Sequence, residues 1–329
     1  MGVKRKLTKS ACFDVTLSDA FELYIEEKKN LNKSESTISN YEITFRVWSR
    51  YLEANDYSLL CKDVDDSYVY AFANHLKSET MKQSSINHYI RDIRSFLYWC
   101  MEAQYITPPF KISMPTMDEE IPETYTDEEI QVLVARPHRR DENNFVEWRT
   151  WAIVNWIIAT GNRAGTIIEV RLGDLNFAKN KREITIRKTK THKAYIIPMS
   201  TALSTVLKEY IKRWRANSGD DAFLFPSIGD DKLSVNALKQ SVAKYNKMRG
   251  VDKTSVHMYR HTFAKTWVRG GGDPFRLQKM LGHSTLDMTR HYVNLFSEDL
   301  KEGFDEINPL DNIKKSASRT KRISRTDKD

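Results

Sequence analysis

His257-Met258-Tyr259-Arg260-His261-Thr262-Phe263-Ala264, followed by Leu281-Gly282-His283-Ser284 and then Tyr292, is the stretch on which the reading of this 329-residue chain turns. Upstream of it stands Thr160-Gly161-Asn162-Arg163. Singly these residues say little. The chain has 15 tyrosines, and Gly161 could simply end a helix. His261 alone reads as a residue that steadies a helix end. In this order, however, they supply what an attack on a phosphodiester needs. Arg163 and Arg260 give fixed positive charge, His257 and His283 give hydrogen-bond donors, and Tyr292 gives a nucleophile.

Working outward, Thr126-Asp127-Glu128-Glu129 opens a helix with acids at its positive end. A long apolar helix is expected over roughly Phe145 to Ala159. Glu183 to Arg187 and Ala194 to Ile197 are short β-type runs, and Lys188 to Lys193 form the turn of a hairpin between them. Leu203, Val206, Leu207, Tyr210 and Ile211 mark a further helix. Others are expected over Val235 to Met248, Met258 to Arg269 and Pro274 to Met280, with Gly270-Gly271-Gly272 breaking the chain between the last two.

The N-terminal third reads differently. Thr16-Leu17-Ser18-Asp19 looks like a helix start. Ile38, Tyr41, Phe45, Trp48 and Leu52 step by three and four, one face of an α-helix. A third helix is expected over Ser67 to Lys77. A fourth, from Ser84 to about Cys100, places Ile86, Ile90, Ile93 and Leu97 on one face and His88, Arg91 and Arg94 elsewhere. Four prolines between Pro108 and Pro122 then mark a linker. The predicted organisation is a basic tail (1–13), a helical bundle (14–106), a linker (107–125), a larger domain (126–305) and a basic tail (306–329). The expected fold class is mainly α with a small antiparallel β-sheet: a helical N-terminal bundle and a mixed α/β second domain.

Composition sets limits. Hydrophobic residues at 40% suffice for real cores. No apolar run approaches the ~20 residues of a membrane span, and no apolar stretch follows the charges of Lys4-Arg5-Lys6 as it would in a signal peptide. Cys12, Cys61 and Cys100 are odd in number and widely spaced, which fits neither a disulfide framework nor a zinc site and points to a reducing cytosol. The net charge of +8 is concentrated at the ends: the first dozen residues carry +4 and residues 314–329 carry +5, so the body is close to neutral. A nucleic-acid argument must therefore rest on placed residues, not on total charge.

The order and spacing of these motifs resemble the tyrosine recombinases of the phage integrase and Xer type. Thr160-Gly161-Asn162-Arg163 is similar to the family's first arginine motif, His257 to Ala264 to its second box, and Leu281 to Ser284 with Tyr292 to its third box and nucleophile. Lys190, eight residues before Pro198, occupies the place of the family's catalytic lysine. One position departs: three residues after the first arginine, where the family usually has an acid that supports it, stands Thr166, with Glu169 as a candidate substitute. The resemblance implies strand exchange through a 3′-phosphotyrosine, with no metal, no cofactor and no ATP. Arg163 and Arg260 would pair with the non-bridging oxygens and His257 would add a donor. His283 would accept or orient the Tyr292 proton, and Lys190 would protonate the leaving 5′ oxygen.

The partners implied are double-stranded DNA recombination sites, a homotetramer assembled on them and, as an optional addition, an accessory DNA-bending protein. A cytoplasmic, nucleoid-associated protein without membrane contact is expected. Arg91 and Arg94 in the bundle, and Lys188 and Lys193 in the hairpin, are the DNA-binding candidates. So few residues precede the bundle that a separate arm-site-binding domain is not expected. An integrase, a transposon recombinase and a resolvase all fit. Two alternatives stay open: a catalytically weak DNA-binding regulator of the same fold, and DNA relaxation of the type IB topoisomerase kind.

Overall fold

A computed structural model describes residues 15–116, 121–138, 141–187 and 194–296. The chain divides into two compact units, Met1–Glu120 and Ile121–Asp329, each with its own hydrophobic core.

The first unit is built from four helices: α1 (Leu17–Asn30), α2 (Glu35–Ala54), α3 (Asp66–Ser78) and α4 (Gln83–Glu102). Three starts are capped by a preceding polar side chain: Thr16 accepts from the Asp19 amide, Ser34 from that of Thr37 and Asp65 from that of Ser67. Each cap satisfies an amide with no partner inside its helix. The periodic residues of the sequence turn inward. Phe21 stacks on Phe45 with ring centroids 3.9 Å apart, Phe96 meets Phe21 edge-on, and Trp48 is fully buried.

The proline-rich segment is not free where a linker was expected to begin. Ile106 and Ile112 are buried in the first core. The Ile112 amide donates to the Tyr98 hydroxyl (3.1 Å) and the Ser113 amide to the Tyr70 hydroxyl (3.0 Å). The side-chain amide of Asn87 reaches the Pro115 carbonyl (3.1 Å). Prolines remove backbone donors but not the burial of isoleucines between them. The segment up to Pro115 is therefore part of the first unit's packing.

The second unit opens with α5 (Asp127–Val134), whose Thr126 and Glu129 form a reciprocal capping box. Its centre is α6 (Phe145–Thr160), with Trp148, Trp151, Ala152, Ile153, Val154, Trp156 and Ile157 all buried. A helix apolar on every side must be surrounded. A short helix, α7 (Ala164–Ile167), follows, and then three strands: β1 (Leu175–Asn176), β2 (Glu183–Ile186) and β3 (Tyr195–Pro198). They form an antiparallel sheet in the order β1-β2-β3, with Ile184 opposite Ile197. Ile184 and Ile186 alternate inward, as a half-buried strand requires. The sheet has one more strand than the expected hairpin, because β1 is only two residues long and too short to leave a pattern.

Around α6 pack α8 (Thr201–Trp214), α9 (Val235–Met248) and α10 (Val256–Arg269). The unit's described part ends with α11 (Pro274–Leu281) and α12 (Asp287–Phe296), which pack on each other and on α10. Asp273 caps α11 by accepting from the Arg276 amide, with Pro274 in the first turn. Helix α12, which carries Tyr292, was not anticipated as a helix. The basic tails and Cys12 lie outside the described residues.

Trp156 is fully buried, and its indole nitrogen donates to the Asn162 side-chain oxygen at 3.0 Å. Trp156→Ala should lower the stability of the second unit by ~3–5 kcal/mol. Urea denaturation followed by far-UV circular dichroism measures it.

Candidate active site

Two helix ends and one helix face make the site. α6 stops at Thr160, and Gly161 takes a left-handed conformation (φ 65°) as its cap. A Cβ there would fall 2.5 Å from the Phe263 ring and 2.6 Å from Leu281, so only glycine fits. α11 stops at Leu281 and is capped in the same way by Gly282 (φ 62°). Each ending leaves carbonyls without partners inside its helix, at the negative end of the helix dipole. The two arginines are tied to these carbonyls. Arg163 Nη1 donates to the carbonyls of Leu281 and Gly282, both at 3.3 Å. Arg260 Nη1 donates to those of Gly161 (2.7 Å) and Leu281 (3.1 Å). Both guanidinium groups thus converge on the Leu281 oxygen. Asn162 fixes the loop between, accepting from Trp156 and donating to the Met280 carbonyl at 3.4 Å.

Arg260 is only 2% exposed. Among the described residues, neither Arg163 nor Arg260 pairs with a carboxylate. Thr166 sits where an acid was expected, and Glu169 pairs with Lys232 instead of Arg163. Glu169 is therefore not the substitute support; helix-end carbonyls hold the arginine. Burial, with Arg163 close by, pulls Arg260 down to about 10. It remains charged at neutral pH. A buried cation without a counter-charge is costly, and such a group marks a place built for an anion.

α10 presents His257, Arg260 and His261 on one face, at spacings of three and four. His283 follows Gly282. Its Nε2 lies 2.6 Å from Arg260 Nη2, and its Nδ1 lies 2.8 Å from the Thr289 hydroxyl. Arginine only donates, so Nε2 is the acceptor and Nδ1 carries the proton. Burial and then Arg260 push His283 down to about 3. The exposed His257 is also lowered, by partial desolvation first and by Arg260 and Arg163 next. Tyr292 is 5% exposed. Its hydroxyl lies 2.9 Å from Nδ1 of His261, and its ring lies parallel to that of His283 with centroids 6.3 Å apart. Burial raises the Tyr292 pKa, while Arg260 and Arg163 oppose the rise.

The structure therefore brings Arg163, His257, Arg260, His283 and Tyr292 together. Lys188, Lys190 and Lys193 lie outside the described residues. Arg91 and Arg94 lie on α4 of the first unit. Arg91 hydrogen-bonds to His88 and approaches Asp92 (3.5 Å), and Arg94 lies over the Tyr98 ring.

Residues 123–299 match the model of the phage integrase family, and residues 16–111 match that of the phage integrase SAM-like domain. The chain belongs to the phage integrase family. It is a tyrosine recombinase, a DNA-cleaving and rejoining enzyme, as the motif order implied. It is 24% identical over 318 residues to a protein named tyrosine recombinase XerC from Chlamydia caviae, covering 88% of this chain and 98% of that one. Its fold is similar to that of the XerH site-specific recombinase in a post-cleavage complex with palindromic difH substrate (TM-score 0.67, 18% identity, 87% of this chain and 84% of that one). It is also similar to a lambda integrase tetramer bound to a Holliday junction (TM-score 0.65, 17% identity, 88% and 81%).

Two residues of this recombinase escaped the sequence reading. His261 does not steady a helix end; it sits inside α10, one turn beyond His257, and reaches the Tyr292 hydroxyl. Its spacing from His257 was the available signal. Tyr195 on β3 abuts Gly282, whose added Cβ would lie 2.8 Å from the tyrosine hydroxyl. Nothing local in the sequence points to that contact.

Gly161→Ala should cost ~2–4 kcal/mol, from the left-handed backbone and the overpacking against Phe263 and Leu281. It should also depress DNA cleavage beyond the stability loss, because the Gly161 carbonyl holds Arg260. Denaturation and cleavage assays on one preparation separate the two. A second expectation concerns pH. His261 and His283 titrate near 4 and 3 in the folded protein, below the ordinary value of about 6.5. The unfolded chain therefore binds protons first as pH falls. Stability should be full above about pH 6.5 and decline toward pH 4, at up to ~1.4 kcal/mol per pH unit for each histidine. Urea midpoints across pH 4–8 measure it, and His283→Gln should flatten the slope.

Proposed function

We propose that this recombinase cleaves one DNA strand at a time by attack of Tyr292 on a phosphodiester, leaving a 3′-phosphotyrosine and a free 5′ hydroxyl. The observation that carries this reading is the pair of arginines that share the Leu281 carbonyl and, among the described residues, pair with no carboxylate. A phosphodiester supplies the missing negative charge. Its non-bridging oxygens gain charge in the transition state, where fixed donors are most effective, at ~3 kcal/mol for a single donor. The contacts to the protein use two of the five N–H groups of Arg163 and three of those of Arg260, with the Tyr292 hydroxyl within reach of a fourth. Donors remain on both guanidinium groups for two oxygens. His257, at the exposed edge of the cluster, adds a further N–H. Lys190 on the β2–β3 turn donates the proton that the leaving 5′ oxygen requires.

The phosphotyrosine conserves the energy of the broken bond, so the strand can be rejoined to a new 5′ hydroxyl without a nucleotide cofactor. Arg91 and Arg94 of the bundle, and Lys188 and Lys193 of the hairpin turn, contact phosphates and give binding its salt dependence. Strand exchange needs two duplexes and four nucleophiles, which supports a homotetramer on paired recombination sites, as in the lambda integrase assembly. The optional accessory partner is a DNA-bending protein. No described helix is long and apolar enough to cross a membrane, and action on DNA supports a cytoplasmic, nucleoid-associated protein.

The test uses DNA flanking the protein's own gene, in EDTA, with wild type and Tyr292→Phe. The wild type should yield a protein–DNA adduct that survives SDS, and Tyr292→Phe should yield none while retaining DNA affinity. An adduct in Tyr292→Phe would assign the nucleophile elsewhere.

A further inference from the structure

We propose that His261, rather than His283, accepts the hydroxyl proton of Tyr292 during strand cleavage. The inference rests on the proposed role of Tyr292 as nucleophile and adds a residue to that reaction. It follows from what each imidazole already holds.

His283 is occupied on both nitrogens. Its Nε2 lone pair is taken by Arg260 at 2.6 Å and its Nδ1 proton goes to Thr289 at 2.8 Å. While those bonds stand, it has no lone pair for a tyrosine proton. Its ring, parallel to that of Tyr292 at 6.3 Å, braces the nucleophile from the side. His261 is placed differently. Its Nδ1 lies 2.9 Å from the Tyr292 hydroxyl, within the range expected of a proton acceptor. Arg260 also stands within hydrogen-bonding reach of the same hydroxyl. A guanidinium only donates, so it can steady the oxygen but cannot take its proton. His257 meets His261 edge-on, with ring centroids 4.7 Å apart. Together with Arg260, His257 and His291, burial keeps His261 neutral, the form that accepts.

The step balances as follows. The Tyr292 oxygen forms a bond to phosphorus as its proton moves to His261 Nδ1. The bond between phosphorus and the 5′ oxygen breaks, its electron pair stays on that oxygen, and the general acid, Lys190, protonates it. The incoming phosphodiester brings the negative charge that stabilises the imidazolium formed. In rejoining, a 5′ hydroxyl attacks as its proton passes to the neutral Lys190 amine, the bond between phosphorus and the tyrosine oxygen breaks, and His261 returns its proton to that oxygen.

The test has an arm without DNA and an arm with it. In the free protein labelled with ¹⁵N-histidine, two-bond correlation spectra report which ring nitrogen carries the proton. His261 should be the Nε2–H form and His283 the Nδ1–H form, and Tyr292→Phe should shift the Nδ1 signal of His261. A protonated Nδ1 on His261, or no response to Tyr292→Phe, would overturn the proposal whether or not the protein cuts the DNA supplied. The second arm measures single-turnover adduct formation on the DNA that gives a wild-type adduct, with and without a sulfur in place of the leaving 5′ oxygen. A thiolate leaves without an acid. His261→Ala should slow adduct formation ~100-fold on both substrates, at unchanged DNA affinity. His261→Asn, which keeps an acceptor near the Nδ1 position but cannot become a cation, should recover only part of the loss. Lys190→Ala should be rescued by the sulfur. A His261→Ala defect that the sulfur abolishes, or that His261→Asn fully repairs, would exclude proton acceptance. Absence of any wild-type adduct would count against the recombination reading of this DNA, leaving the spectra to decide the hydrogen bond.

Discussion

The site of the second unit is organised around a guanidinium that no carboxylate balances among the described residues. Arg260 is held by the Gly161 and Leu281 carbonyls and by His283, all neutral. Helix C-termini carry about half a negative charge each, enough to fix the group but not to neutralise it. Arg163 shares the Leu281 oxygen, so two positive charges stand close together. At the effective dielectric of a protein surface such a pair repels by up to a few kcal/mol. The fold tolerates this because the core around α6 is extensive, and the repulsion is relieved when a phosphate arrives. Transition-state charge then forms among donors that need not reorganise.

Two glycines make that placement possible. Gly161 and Gly282 end α6 and α11 with left-handed turns, and each turn aims helix-end carbonyls at the arginines. A side chain on Gly161 would strike Phe263 and Leu281, and one on Gly282 would strike Tyr195. The glycine of each motif is thus part of how the adjoining Arg163 and His283 are presented. Tyr195 extends this coupling to the sheet. It sits on β3, and its hydroxyl abuts the Gly282 backbone that precedes His283. Strand β3 is thereby registered on the arginine cluster.

What the sequence made legible was local. The three-and-four spacing of Ile38 to Leu52 marked α2, the apolar run marked α6, and the order of the arginine, histidine and tyrosine motifs marked the chemistry. These signals lie within one or two turns of chain, or in motif order. What escaped depended on contacts between distant residues. β1 has two residues and exists because β2 pairs with it. The segment from Thr107 to Pro115 reads as the start of a linker, yet it docks because Tyr98, Tyr70 and Asn87 supply partners for its backbone. The role proposed for His261 arises from Tyr292, thirty-one positions away, and its spacing from His257 was the only local hint. His283 looked suited to receive the tyrosine proton until Arg260 was seen to occupy it.

Thr166 carries no charge to offset that of the arginines, and that charge is one of two influences on the histidines. An acid near Arg163 would offset part of the cluster's positive charge. Burial acts first on all three imidazoles, then Arg260 and Arg163 on His257 and His283, and His257 and Arg260 on His261, holding them below their ordinary range. A neutral imidazole has one donor and one acceptor. His283 spends both on Arg260 and Thr289, so it becomes a strut. His257 keeps an N–H to offer a phosphate oxygen. His261 turns its acceptor to Tyr292. Burial, with the same positive charge that the proposed reaction uses to hold a phosphodiester, therefore favours the neutral form of each histidine in the free protein. The division of labour among them follows from which hydrogen bonds the backbone leaves each one free to make.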